Sequence, residues 1–257
     1  MRLHLYLYKN MKKKIRVGAV SYLNTKPLIY GFEQGMMHDE IELQLDYPSK
    51  LAGLLQRDQL DIALLPVASI PNILDANVFS NYCIGSNHKV ASVCLFSHVP
   101  IEEVQEVYMD YQSRTSVVLF RILMRDFWNI RPSLLDADDQ YINKIKGKTA
   151  GIIIGDRALD QLSQFPYVYD LAEAWKSHTS LPFVFATWVS NQKLPQSFID
   201  SFNLANAKGL ESLNEIISSQ SFEAYDLKKY YTENISYILD EEKKKGMHLF
   251  LKMLPTL

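Results

Sequence analysis

Cysteine is scarce in this 257-residue chain. Cys83 and Cys94 are the only two, and both sit in apolar stretches where a buried free thiol is the ordinary outcome. No Cys, His or acidic residues recur at metal-ligand spacing, so no metal is expected. The glycine patterns that cradle phosphate, GxGxxG and GxxxxGK[ST], are missing, as is the GxSxG elbow of serine hydrolases; no motif calls for a cofactor. An excess of one charge is missing too. Lys and Arg number 27 against 29 Asp and Glu, for a net charge of −2, which gives no basic field for nucleic acid. The one dense basic run near the start, Lys12-Lys13-Lys14, reads as a solvated lead-in to the first strand. No stretch approaches the ~20 apolar residues that cross a bilayer. Leu3, Leu5 and Leu7 alternate with His4, Tyr6 and Tyr8 instead of forming the apolar heart of a secretion signal. The expectation is a cytoplasmic protein without membrane contact. Residues 1–11 are expected to form an N-terminal extension, with Met1 or Met11 as the start.

What is present is a globular composition: 47% hydrophobic and 22% charged residues. Aromatic residues reach 12%, with 15 Tyr among them, and such side chains line pockets as well as cores. The length allows two lobes of about 100–150 residues each.

Strand-like and helix-like segments alternate. Ile15–Val20 reads as a strand, and Asn24-Thr25-Lys26-Pro27-Leu28 as a helix start with Asn24 or Thr25 as cap and Pro27 in the first turn. Ile41–Leu45 alternates like a half-exposed strand. Pro48-Ser49 opens a helix with Ser49 as cap, and Asp61–Pro66 reads as a buried strand. Strand, helix, strand, helix, strand predicts a largely parallel sheet covered on both faces. Further strands are expected at Val104–Asp110 and Ala150–Gly155, and a helix at Ser113–Trp128. Val90–Ser97 and Pro182–Ser190 are expected to cross between lobes, with helices after them at about 195–218, 222–231 and 237–254. This predicts an α/β, two-lobed type II periplasmic-binding-protein-like fold with two crossing strands at the hinge. One lobe would comprise residues 12–96 plus 190–257 and the other 97–189. The ligand of such a fold sits in the cleft, at the carboxyl ends of the strands.

Two segments have the chemistry of anion-holding turns. Ser21-Tyr22-Leu23-Asn24-Thr25 follows the first strand and runs into a helix; Asp110-Tyr111-Gln112-Ser113-Arg114-Thr115-Ser116 repeats the design in the second lobe. A helix start carries unpaired N–H groups and a partial positive charge, which favour a carboxylate. From the residues alone each segment reads equally as a satisfied helix cap. Asp156, after the Ile-rich strand, reads either as a holder of a ligand hydroxyl or as a cap, and Arg114 either as an added charge for the ligand or as a solvated side chain.

Taken together, these segments resemble the chorismate dehydratase family. The resemblance rests on Ser21–Leu28 (SYLNTKPL), Val90-Ala91-Ser92-Val93, Ser113–Val117 (SRTSV), Gly155–Leu159 (GDRAL), and Asp170-Leu171 with Trp175, Thr179 and Leu181–Trp188. It spans roughly residues 15–240. The chain departs from the family at Ser86-Asn87-His88-Lys89, where a Gly-Pro pair is usual. The resemblance implies loss of water from chorismate to give 3-[(1-carboxyvinyl)oxy]benzoate in menaquinone biosynthesis by the futalosine route, a hydro-lyase reaction. It implies Asn24 and Ser92 as catalytic residues and Ser21, Tyr22, Thr25, Ser113, Arg114, Thr115, Ser116 and Asp156 as substrate-binding ones. The motifs offer amide and hydroxyl groups but no evident base. The expectation is therefore a substrate-assisted elimination, in which the ligand's own enolpyruvyl carboxylate takes the ring proton. The partner expected is a small molecule, chorismate, with no nucleic acid; no motif speaks to oligomeric state. The rival readings are 1,4-dihydroxy-6-naphthoate synthase of the same pathway and a non-catalytic binder of small carboxylates.

Overall fold

The computed structural model describes residues 14–256, so the expected extension over residues 1–11 and the first two lysines of the basic run lie outside the described residues. Two mixed sheets organise the chain. The first is built on β1 (Ile15–Val20), β2 (Ile41–Asp46) and β3 (Ile62–Pro66), with β1 parallel to both neighbours. All five residues of β3 are buried, and Val17, Ala19 and Val20 of β1 face the core, as expected for strands covered on both faces. The sheet is completed by β4 (Asn77–Ser86), β10 (Phe183–Ser190) and β11 (Ser236–Ile238) in the order β11-β4-β10-β3-β1-β2. These later strands pair antiparallel, so the expected parallel sheet is parallel only in its first half. The second sheet repeats the plan. Strands β6 (Glu106–Met109), β7 (Ser133–Asp136) and β8 (Thr149–Ile154) are parallel, while β5 (Val93–Ser97) runs antiparallel between β8 and β9 (Tyr167–Asp170).

The chain passes between the sheets twice, but not within the strands expected to cross. β5 pairs only inside the second sheet and β10 only inside the first. The passages are the loop 87–92 and, on the return, helix α5 (Leu171–Thr179) with residues 180–182. The expected bounds at 96/97 and 189/190 would cut through β5 and β10, whose ladder hydrogen bonds assign each strand whole to one sheet.

The helices in chain order are α1 (Lys26–Glu33), α2 (Pro48–Gln56), α3 (Arg114–Asp126), α4 (Asp156–Gln161), α5, α6 (Gln196–Glu211), α7 (Leu213–Ser218), α8 (Leu227–Lys229) and α9 (Glu241–Met253). The cap expected at Ser49 is displaced: α2 begins at Pro48, Tyr47 occupies the cap position, and Ser49 lies inside the helix. The helix expected over 195–218 breaks at Ser212 into α6 and α7. Of 222–231, only α8 is α-helical, and it widens into a π-turn over Tyr230–Asn234. The expected 237–254 helix starts late because Ser236–Ile238 pairs with β4; Asp240 then caps α9 by accepting from Lys243 N–H at 2.8 Å. Among the described residues no helix is long and apolar enough to cross a membrane.

One contact fixes the site's scaffold. Helices α1 and α6 approach so closely that a Cβ at Gly209 would come within 1.7 Å of the Pro27 carbonyl oxygen. The entry to α1, which carries Asn24, is thereby pinned against α6. Around this contact Phe32, Trp188 and Phe202 pack edge to face, and Trp188 Nε1 donates to Asn206 Oδ1 at 2.9 Å. Trp175, Phe183 and Phe250 form a similar group under the return passage.

Candidate active site

The carboxyl ends of β1, β3 and β8 open on one cleft. Five of the sequence-predicted residues line it: Tyr22, Asn24, Ser92, Ser113 and Ser116. The rest of the wall is largely apolar, with Val20, Ile84, Ile154 and Phe185 prominent.

On one side, Leu23–Thr25 forms a 3-10 turn ahead of α1. Thr25 takes the cap position of α1 and Pro27 its first turn, but neither Asn24 nor Thr25 caps through its side chain. The buried Thr25 hydroxyl donates instead to Asn24 Oδ1 at 3.3 Å, and Tyr237 Oη donates to the Asn24 carbonyl at 3.0 Å. With its oxygen occupied, the Asn24 amide is left as a donor. Tyr230 lies near it, and the Tyr230 hydroxyl donates to Ser92 Oγ at 2.8 Å. Burial pushes the Tyr230 phenol far above its ordinary range, so it stays protonated. Because Ser92 Oγ accepts from Tyr230, its proton is free to point elsewhere.

On the other side, Ser113 caps α3. Its Oγ accepts from Ser116 N–H at 3.1 Å and donates to Ser116 Oγ at 2.8 Å. The remaining N–H groups of this first turn have no intrahelical partner. Just behind, the buried Asp110 carboxylate accepts from Gln112 N–H at 2.7 Å, Tyr141 Oη at 2.8 Å and Arg157 Nη2 at 2.7 Å. Burial raises the Asp110 pKa and the Arg157 charge opposes that rise.

Three of the hydrogen bonds that bridge the sides come from the turns themselves. Tyr22 Oη donates to Gln112 Oε1 at 2.6 Å, Leu23 N–H donates to Asp156 Oδ1 at 3.2 Å, and Ala68 N–H donates to Thr115 Oγ1 at 3.2 Å. Asp156 and Thr115 therefore sit at the cleft but spend their polar atoms across it rather than on its wall. Burial raises the Asp156 pKa, and the Leu23 N–H holds it down. Ser21 and Arg114 are exposed, and neither they nor the buried Thr25 line the cleft.

Tyr230, Tyr237 and Gln112 were not singled out from the sequence. Tyr230 lies 138 residues beyond Ser92, and no local pattern joins them. Gly155 has a sequence signal in hindsight. Its φ of 63° and ψ of −149° lie in a region essentially restricted to glycine, which lets the backbone after β8 turn into the cleft wall.

Comparison with solved structures places this architecture in the periplasmic-binding-protein fold. A Candida albicans protein described as having the generic form of that fold aligns with a TM-score of 0.60 at 13% identity, covering 96% of this chain and 91% of its own. Two curated relatives are chorismate dehydratases. One, from Campylobacter jejuni, is 25% identical over 248 residues, covering 93% of this chain and 97% of its own. The other, from Thermus thermophilus, is 23% identical over 236 residues, covering 80% of this chain and 84% of its own. The family model described as "Menaquinone biosynthesis" matches residues 15–256, which takes in both sheets and every residue of the cleft. The chain belongs to this menaquinone biosynthesis family.

Proposed function

We propose that this protein is a chorismate dehydratase, a hydro-lyase that eliminates water from chorismate to give 3-[(1-carboxyvinyl)oxy]benzoate. The observation that carries the reading is that Asn24 and Ser92, the latter held by Tyr230, line one cleft with the serine-rich start of α3. Chorismate is a dianion. One carboxylate suits the Ser113 and Ser116 hydroxyls with the free N–H groups of that helix start. The enolpyruvyl carboxylate then lies toward Asn24 and Ser92.

Among the described residues of the cleft wall there is no carboxylate, imidazole or amine; Tyr22 is its one titratable side chain. Burial raises the Tyr22 pKa, so the phenol keeps its proton. The enolpyruvyl carboxylate serves as base. It takes the ring proton, the C–H pair moves into the ring, and the C–O bond to the ring hydroxyl breaks. The departing hydroxide takes that proton from the enolpyruvyl carboxyl and leaves as water, so the carboxylate is restored and the ring becomes aromatic. The Asn24 amide and the Ser92 hydroxyl orient the carboxylate and the leaving group, which lets positioning supply much of the rate.

Incubation with chorismate and detection of a new aromatic absorbance tests the activity; no turnover would sink it. Asn24→Asp sets a negative charge beside a dianion and removes a donor. Loss of one fixed donor costs about 10²–10³ in kcat in other enzymes, and at least that is expected here from steady-state kinetics. Full activity of Asn24→Asp would remove this role from Asn24.

A further inference from the structure

The hydroxyl of Ser92 is held at the cleft by a backbone conformation that Ala91 would not choose by itself. Ala91 has φ +61°, and Ser92 N–H donates to the Val90 carbonyl at 2.7 Å across it. A hydrogen bond spanning three residues with a positive central φ is the rarer, strained kind of γ-turn, and a non-glycine residue there costs on the order of 1–3 kcal/mol. The turn persists because its surroundings grip it. Ser92 carbonyl accepts from Gly155 N–H at 2.8 Å, and Ala91 N–H donates to Asp170 Oδ2 at 2.7 Å. The other oxygen of Asp170 accepts from Ala172 N–H at 3.0 Å and Glu173 N–H at 3.1 Å, capping α5. One buried carboxylate thus ties the return passage between the sheets to the outward one.

We propose that Asp170 is a positioning residue of the dehydratase: its carboxylate holds Ala91 in the left-handed conformation and so aims the Ser92 hydroxyl at the substrate. The proposal rests on the reading of Ser92 given above. A neutral amide cannot replace this carboxylate. It has one oxygen, so either the turn or the helix start meets an NH2 group.

The experiment is a set of kinetic cycles on chorismate turnover in the full chain. Asp170→Asn is expected to lower kcat by ~10-fold or more with KM changed by less than about 3-fold. Adding Ala91→Gly to Asp170→Asn is expected to recover much of that loss, because glycine takes a positive φ without a steric cost. In a Ser92→Ala background, Asp170→Asn is expected to cost less than about 2-fold more, since the hydroxyl it serves is gone. If the losses from Asp170→Asn and Ser92→Ala multiply instead, or if Ala91→Gly recovers nothing, the proposal is overturned. Should Asp170→Asn fail to fold, Ala91→Val asks the same question from the other side. A β-branched residue resists positive φ, so kcat should fall with Asp170 intact, and an unchanged kcat overturns the proposal. Amide hydrogen exchange separates this failure from failure of the functional reading. Protection at Ala91 lost in Asp170→Asn supports the grip, and protection retained overturns it. Full turnover by Ser92→Ala instead overturns the role of Ser92, and the catalytic purpose of Asp170 falls with it.

Discussion

Asp170 shows how a single residue trades stability for geometry. Burial pushes its carboxyl up to about 6, in spite of the N–H groups that favour the charged form. An unfolded Asp titrates near ~3.9. Between these values the folded protein holds a proton that the unfolded chain has already lost. The contribution of this group to stability is therefore complete below about pH 4 and lost as pH rises through about 6, a loss on the order of 3 kcal/mol. Burial holds the Cys94 thiol, 3.9 Å from Oδ2, and the Tyr225 phenol in their protonated forms. The neighbouring Glu173 is paired with Lys89 at 3.5 Å. Urea unfolding of the wild type and Asp170→Asn across pH 4–8 should show the wild type losing ground against the variant from pH 4 to about 7, then a constant difference. A difference that moves in the wild type's favour as pH rises would contradict the buried charge. The carboxylate is thus ionised, and grips the turn hardest, in the range where it costs the fold most, a balance typical of groups retained for function.

Among the elements, the α1–α6 contact carries the sharpest expectation. A methyl at Gly209 would overlap the Pro27 carbonyl, and one at Gly31 would come within 2.2 Å of the Ala205 carbonyl. These are backbone obstacles, which no rotamer change relieves. Gly209→Ala should cost about 3 kcal/mol as overpacking and lower Tm by roughly 6–12 °C in a thermal melt. It should also displace the entry to α1 and lower kcat through Asn24. A Tm within a degree of wild type would show that the two helices can part freely. The same elements show what the sequence made legible. β1, β3 and β8 announce themselves as apolar runs, and the entries to α1 and α3 as clustered hydroxyls next to helical patterns. Asn77–Ser86 does not, although it is the longest strand. Its Asn77, Ser80, Asn81 and Ser86 break the alternation, and the Ser80 hydroxyl finds its acceptor far along the chain, in Asn203 at 2.8 Å. β11 hides at the head of a helical pattern, because three residues are too few to show a period. In the site, Asn24, Ser113 and Ser116 were readable because each belongs to a local turn motif, and Ser92 only through the family resemblance. Tyr230 was not, because its partners come from distant chain. Asp156 and Thr115 were readable as site residues, but their use in bridging the lobes depends on which elements end up face to face.

For the molecule as a whole, the three bridges at the cleft decide how it meets its ligand. Tyr22 to Gln112, Leu23 to Asp156 and Ala68 to Thr115 join a turn of the first sheet to a turn of the second, with only two chain passages behind them as hinge. Each neutral bridge contributes on the order of 1 kcal/mol net, and the charged one about twice that. Together these three bridges contribute a few kcal/mol to closure, an amount that a dianion touching both sides can readily add to. Small-angle scattering should show the radius of gyration falling when saturating chorismate is added. Tyr22→Phe combined with Asp156→Ala removes about 2–4 kcal/mol of bridging. That variant should be more extended than the wild type without ligand and contract more with it. Its apparent affinity should fall by ~10- to 100-fold, because only the closed fraction binds tightly. If scattering from both proteins is indifferent to saturating ligand, the cleft does not close on a hinge, and the bridges are static ties between two halves of a rigid body.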